Sequence, residues 1–391
     1  RYEDIPQPKV VAAAMEVEIY PHDRRVDIGG LLTLVNKSDA PVDSLHFDIV
    51  RDLDRADLSI SRTSPVGRTE KGTATEARIV LDDRDLGYRI YSLSSPLYPG
   101  DTLYVGLDLG IEEKGFMNGR TNVRIVENGT FFYNGDYVPS VGYDPGREIN
   151  SRTRRRELGL PGKERLPAVD DPEALMHTFT RDSDRIDFEA IVGTSGDQTA
   201  IAPGDLVREW SRDGRNYFHY RTDRPILNFY CFVSGRFEVA REMSGETGIE
   251  IYYHHRHGMN VPRMMEAATK SLSHYSATYS PYPYRQLRIV EFPGYRRFAQ
   301  SFSTTIPFSE AANFTEDLSR ESTVDMVFFI TSHEIAHQWF AHQVTPASVQ
   351  GAEMIGESLT QYSALMVMEK DYGPDGMRRF LRYELDRYLS G

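Results

Sequence analysis

The residues at 333–337, HEIAH, carry the densest chemistry in the chain. On a helix, positions four apart share a face about one turn from each other. His333 and His337 can therefore offer two imidazole nitrogens to one metal ion, with Glu334 beside the coordination position left open. This is the H-E-x-x-H arrangement. It supplies two zinc ligands and a general base that takes a proton from a zinc-activated water. The plainer reading, two unrelated polar residues on a helix, sits badly with the apolar run MVFFI that leads into the motif.

Zinc that activates water takes a third protein ligand and leaves its fourth position to the water. Downstream, Glu353 and Glu357 stand four apart on one face, so spacing alone leaves both open. GESLTQYSALMVME continues as a clean helical pattern. That places Glu357 in the first turns of a helix which, running antiparallel, would bring it under His337. Glu353 falls in the connection, where solvation is expected, and Glu357 is the favoured third ligand.

Other groups have blander readings. HHRH at 254–257 follows a strand directly and is expected to be a solvated strand end, and His342 lies off the metal-facing stripe and is read the same way. RTRRR at 152–156 reads as an exposed basic loop. Asn36, Asn128 and Asn313 open N-x-S/T sequons, which matter only in a eukaryotic secretory setting. Trp339 and Phe340 read as core. No glycine loop suited to phosphate and no G-x-S-x-G elbow is found.

The elements that must position the motif divide in two. Up to about Met243 the chain is a series of short runs rich in Val, Ile, Tyr and Phe, such as VAAAMEVEIY, TLYVGLDLGI and DRIDFEAIVG. NKSDAP, YPGDT and SGDQ punctuate the gaps. Many short strands without helix-length patterns between them predict an antiparallel sandwich or saddle over 1–243. The polar stretch 146–171 breaks this pattern and reads as a long loop or short helix. Over 244–391, IEIYYH and LRIVEFP read as strands, and VPRMMEAATKSLSHYSATYS has helical spacing. Ser322 and Asp325 stand at capping-box spacing before MVFFI. A helix is predicted over about 354–372, with Gly373 and Pro374 as a stop and another helix from about Asp375. The class is α+β.

Composition narrows the function. With 391 residues, 40% hydrophobic and 26% charged, the chain can bury a sizeable core. Lys+Arg 45 against Asp+Glu 58, a net charge of -13, argues against a nucleic-acid binder. The single cysteine, Cys231, excludes an internal disulfide framework and multi-Cys metal sites. No run approaches the roughly 18 apolar residues needed to cross a bilayer. RRFLRYELDRYLSG stops in mid-pattern, so the chain is expected to be part of a longer protein.

HEIAHQWFAHQVTP followed by GESLTQY resembles the aminopeptidase N-type family of zinc peptidases (gluzincins), whose motifs read HExxHQWFGNxVTP and NEGFAxY. The resemblance covers 322–372 strongly and nearly the whole chain weakly. It implies one zinc ion on His333, His337 and Glu357, and Glu334 as the group that activates water. It also implies a β-saddle domain followed by a thermolysin-like α/β catalytic domain, truncated here, with RPILNFYCFVSGRFEV joining the two. QGAEMIGESLTQYSALMVMEK is closer to a bacterial branch fused to membrane segments of an ABC-type transporter permease. That branch implies an extracytoplasmic domain of a membrane-anchored parent.

Three departures shape the expected function. The interval from His337 to Glu357 is one residue longer than in the main family, which a loop before a helix absorbs. Aligning TIPFSE with the family's LITYRE puts Gln300 and Ser301 where the GxMEN glutamate would hold a peptide's free amino group; Glu310 falls too far along. The family's transition-state tyrosine would lie past Gly391. The expected activity is zinc-dependent peptide hydrolysis, aminopeptidase-like, with Gln300 and Ser301 at the substrate's end. The alternative is a zinc-containing peptide-binding or gating domain of a transporter with little hydrolysis.

Overall fold

The computed structural model describes residues 2, 5–64, 76–114, 122–163, 165–172, 174–176, 180, 182–319 and 324–390. The strand-rich half is built on one large sheet. Across it the strands run Asp205–Arg212, Arg215–Arg221, Ser183–Ser195, Lys9–Tyr20, Arg25–Val35, Thr102–Glu112 and Arg55–Ser61. Burial alternates strictly along Arg25–Val35, as expected when one face packs on a core. Two four-stranded sheets complete this half. Leu45, Phe47, Leu103, Val105, Ile186, Phe188 and Phe232 are among the side chains that fill the space between them.

The expected antiparallel arrangement holds along this sheet with one exception: Lys9–Tyr20 pairs in parallel with Ser183–Ser195. Arg55–Ser61, Tyr88–Leu97 and Asp205–Arg212 are strands that the sequence patterning does not bring out. Asp205–Arg212 is an edge strand with most positions exposed, so no buried face imprints alternation on it. The stretch at 146–171 holds one short helix, Arg152–Glu157. Within it, Arg155 bonds Glu148 at 3.2 Å and Arg154 bonds Glu157 at 3.0 Å.

The second half is a four-stranded sheet covered by helices. Its order is Glu238–Ser244, Thr247–Tyr253, Gln286–Phe292, Thr305–Ser309, the first pair antiparallel and the other two parallel. The hairpin of the first two strands straddles residue 243, so the change of sheet lies a few residues before the expected boundary. Helix Val261–Thr278 crosses between two parallel strands and buries Val261, Met264, Met265, Ala268, Leu272 and Tyr275, spaced three and four apart.

The HEIAH helix spans Met326–Ala336. Its first turns, MVFFITS, are β-branched and aromatic, each residue costing up to about 0.7 kcal/mol of helix propensity. Val327, Phe328, Phe329 and Ile335 are buried in the core of this half. At roughly 1.5–3 kcal/mol for each fully buried side chain, packing outweighs propensity and keeps the motif helical. Asp325 is the N-cap, its side chain accepting the Phe328 N–H at 2.8 Å; Ser322 lies outside the described residues. The chain then enters a π-turn, Met354–Ser358, and the long helix Leu359–Ser390. Gly373, at φ 68°, kinks that helix where a stop was expected.

Candidate metal site

The two histidines and the glutamate meet. His333 Nε2 lies 3.5 Å from one oxygen of Glu357, and His337 Nε2 lies 3.8 Å from the other. Donors at zinc-bond length in a tetrahedron stand roughly 3.4 Å apart, so the spacing suits a small cation between them. The His337 ring is oriented from behind. Its Nδ1 lies 3.1 Å from the Phe340 carbonyl and 3.4 Å from Thr360 Oγ1, whose own proton goes to the Gly356 carbonyl. Nδ1 therefore carries the hydrogen, and the Nε2 lone pair is left facing Glu357. Burial, reinforced by His333, pushes the His337 pKa down to about 4. A neutral ring with a free lone pair is the state that ligates metal.

Glu334 sits beside them, 7% exposed, with Oε2 buried and lacking a hydrogen-bond partner. Burial raises its pKa to about 7, opposed by His333 and by the Ser301 backbone N–H and assisted by Glu357. Hydrogen bonding to His333 is the main cause that holds Glu357 below the usual carboxylate range. Glu353 is exposed in the preceding connection. Two imidazoles, one carboxylate and an orphaned buried carboxylate oxygen are what a zinc ion with a reactive water would satisfy, so the residues present fit the metal.

The segment at 300–304 packs against the continuation of the same helix. Gln338 is fully buried; its Nε2 donates to Ser301 Oγ (2.6 Å) and the Phe302 carbonyl (2.8 Å), and its Oε1 accepts the Thr304 N–H (3.0 Å). Ser301 is accordingly buried with its hydroxyl turned inward, while Gln300 is half-buried and donates its backbone N–H to Pro307. Neither offers a carboxylate. Thr304 adopts φ 65°, a conformation β-branched residues resist, and Gln338 holds its amide. Removing the clamp with Gln338→Leu orphans several buried groups at about 1–3 kcal/mol each. Denaturant unfolding should therefore show a loss of about 2–5 kcal/mol. A change under about 0.5 kcal/mol would mean the segment does not depend on Gln338.

His342 is not the solvated residue expected from its spacing. It is 2% exposed, between Ser303 Oγ and the Ser301 carbonyl, each at 3.1 Å. The carbonyl can only accept, so Nε2 carries the hydrogen and Nδ1 accepts from Ser303. Spacing from His337 does not reveal this, because the helix ends at Ala336 and the chain turns back on itself. Ala341, in that turn, takes φ 136°, at the position where the HQWFGN motif has glycine. Burial lowers the His342 pKa to about 4. Below about pH 6.5 the unfolded chain then binds a proton at His342 that the folded one refuses, so the contribution of His342 to stability falls as pH drops from about 6.5 to 4, by about 3 kcal/mol. His342→Asn should flatten this dependence in urea melts between about pH 4.5 and 7.5; an unchanged slope would contradict it.

No protein-family model matches the sequence. Aminopeptidase M1-B of Oryza sativa subsp. japonica is 28% identical over 131 residues, 32% of this chain but only 15% of that protein. Solved structures cover far more. The M1 zinc metallopeptidase from Deinococcus radiodurans aligns with 95% of this chain and 72% of its own, at TM-score 0.56 and 15% identity. A mutant of it bound to a Tyr-Ser-Ala substrate aligns with 98% and 76%, at TM-score 0.58 and 15% identity. A two-domain M1 zinc metallopeptidase mutant bound to L-arginine gives TM-score 0.56 at 16% identity. In fold, this chain is similar to the M1 zinc metallopeptidases.

Proposed function

We propose that the chain is a zinc-dependent peptide hydrolase of the aminopeptidase type. In this reading His333, His337 and Glu357 hold one catalytic zinc ion and Glu334 is the base. The observation that carries it is the convergence of those three side chains, with donor atoms within 4.8 Å of one another, beside the buried Glu334. The M1 zinc metallopeptidase fold supports it, as does the short aminopeptidase match. Bound there, zinc would supply Lewis-acid polarisation of a water and of the scissile carbonyl. Glu334, cut off from bulk solvent, takes the water's proton and returns it to the leaving amine. Its raised affinity for a proton suits both halves of that transfer.

The peptide's amino end is assigned to the segment carrying Gln300 and Ser301. A neutral amide and backbone groups meet it there, in place of a carboxylate. The charge-assisted part of such a contact is about 1 kcal/mol, so preference for free over blocked amino termini is expected at about tenfold or less. This same neutrality favours a second reading, peptide binding with little hydrolysis. The division into a β domain and a catalytic domain is supported by a large core in each half, with a third cluster, Phe131, Ile201 and Val233 against Tyr252, Val290 and Phe292, where the two meet. The likeness of QGAEMIGESLTQYSALMVMEK to the transporter-fused branch supports an extracytoplasmic domain on a membrane-anchored parent. Among the described residues no helix is long and apolar enough to cross a membrane.

A zinc-loaded sample, assayed on free, amino-blocked and internally quenched peptides, tests the reading. Cleavage of free-amino peptides is expected, with blocked peptides slower by about tenfold or less. Full zinc occupancy with no cleavage would favour the binding reading.

A further inference from the structure

A second group of metal-capable side chains lies away from HEIAH, at the far end of the same sheet. Thr247–Tyr253, Gln286–Phe292 and Thr305–Ser309 run parallel, so their carboxyl ends lie side by side, the usual place for ligands in parallel sheets. Each contributes one donor there: His257 from the turn after the first strand, Glu291 from the end of the second, and Glu310 directly after the third. Their ligand atoms lie within 4.8 Å of one another. His257 Nδ1 contacts one oxygen of Glu291 and stands 3.9 Å from Glu310 Oε2.

Each carboxylate accepts one backbone N–H, Glu291 from His254 at 2.6 Å and Glu310 from Gly294 at 2.9 Å. Glu291 is 4% exposed and Glu310 about a third exposed. Among the described residues the ion-pair partner of both carboxylates is His257 alone, with no lysine or arginine. One imidazole cannot balance two carboxylates. A separate sign comes from His254, in the same turn, whose ring is 5.1 Å from that of His257. Its Nδ1 is shut off from solvent and has no hydrogen-bond partner. A divalent cation balances the two carboxylates, and His254 stands beside the group.

We propose that His257, Glu291 and Glu310 form a second divalent-cation site, with His254 beside it. Imidazole and carboxylate donors together suit zinc. The site is distinct from the first. Glu310 follows the carboxyl end of Thr305–Ser309, whereas Ser301, whose backbone N–H faces Glu334, lies beside the amino half of that strand, and about four residues of strand, roughly 13 Å, separate them. With no water-activating base assigned to it, the site's role is to tie three strand ends together. That braces the connection 293–299 leading into the substrate segment.

The test is zinc titration of the chelator-stripped full chain against a competing chromophoric chelator, with elemental analysis of the product. Two zinc ions per chain are expected, falling to one in Glu310→Gln, one in His337→Ala, and none in the double variant. Glu310 has a third of its side chain exposed, so the isosteric change should leave folding intact, checked by circular dichroism. One zinc per chain, lost in His337→Ala and kept in Glu310→Gln, would overturn the second site. So would two zinc ions retained in Glu310→Gln. One zinc lost in Glu310→Gln and kept in His337→Ala would uphold the second site and count against the first.

Discussion

Glu334→Gln should bind zinc as the parent does and lose about a hundred- to ten-thousand-fold in turnover, the span typical of removing a general base. The two effects separate because Glu334 is not among the three converging donors, while its Oε2 is a buried oxygen with no partner. Glutamine has the same shape and can still accept the Ser301 N–H, but it cannot take a proton. Burial makes the ionised glutamate costly, so the substitution should not lower stability, and lost turnover then reports the missing base alone. Zinc content by elemental analysis, together with kcat on an internally quenched peptide, gives the result. Turnover within about threefold of the parent would remove Glu334 from the chemistry.

His337→Ala should instead remove the metal from the HEIAH site and all detectable turnover with it. It deletes one of the three proposed ligands and the ring whose Nδ1 faces Phe340 and Thr360. It also leaves the Phe340 carbonyl without its buried donor, at a cost of about 1–3 kcal/mol. Thr360→Val is the milder companion. It keeps His337 but removes the hydroxyl behind its Nδ1, and losing such an outer partner typically weakens metal affinity or activity about ten- to a hundredfold. Competitive zinc titration separates the two variants. Equal zinc affinity in parent and His337→Ala at this site would show that His337 is not a ligand.

Much of this site is legible in the order of its residues. The i,i+4 spacing of His333 and His337 puts both on one helical face, and the helical pattern after 354 is enough to favour Glu357, which meets both histidines, over Glu353. The packing around the motif is not legible in the same way. Gln338 and His342 act through the chain reversal after Ala336, where helical spacing no longer tells direction. The same reversal needs a positive φ at Ala341, and the glycine of the related motif is the one trace of it in the sequence. HHRH reads as a solvated strand end because its partners, Glu291 and Glu310, come from strands dozens of residues away. In the strand-rich half, strands with one buried face announce themselves by alternation. The exposed edge strand Asp205–Arg212 and the parallel pairing of Lys9–Tyr20 with Ser183–Ser195 leave no local pattern.

If this chain hydrolyses peptide bonds with a water activated between zinc and Glu334, the oxygen of that water must end in the product. Mass spectrometry of peptide digested by the zinc-loaded full chain in heavy-oxygen water follows it directly. New carboxyl termini carrying one heavy oxygen are expected, and they should be absent when Glu334→Gln replaces the parent at equal zinc content. Intact peptide with the zinc site filled, or identical heavy-oxygen products from both proteins, would contradict the mechanism.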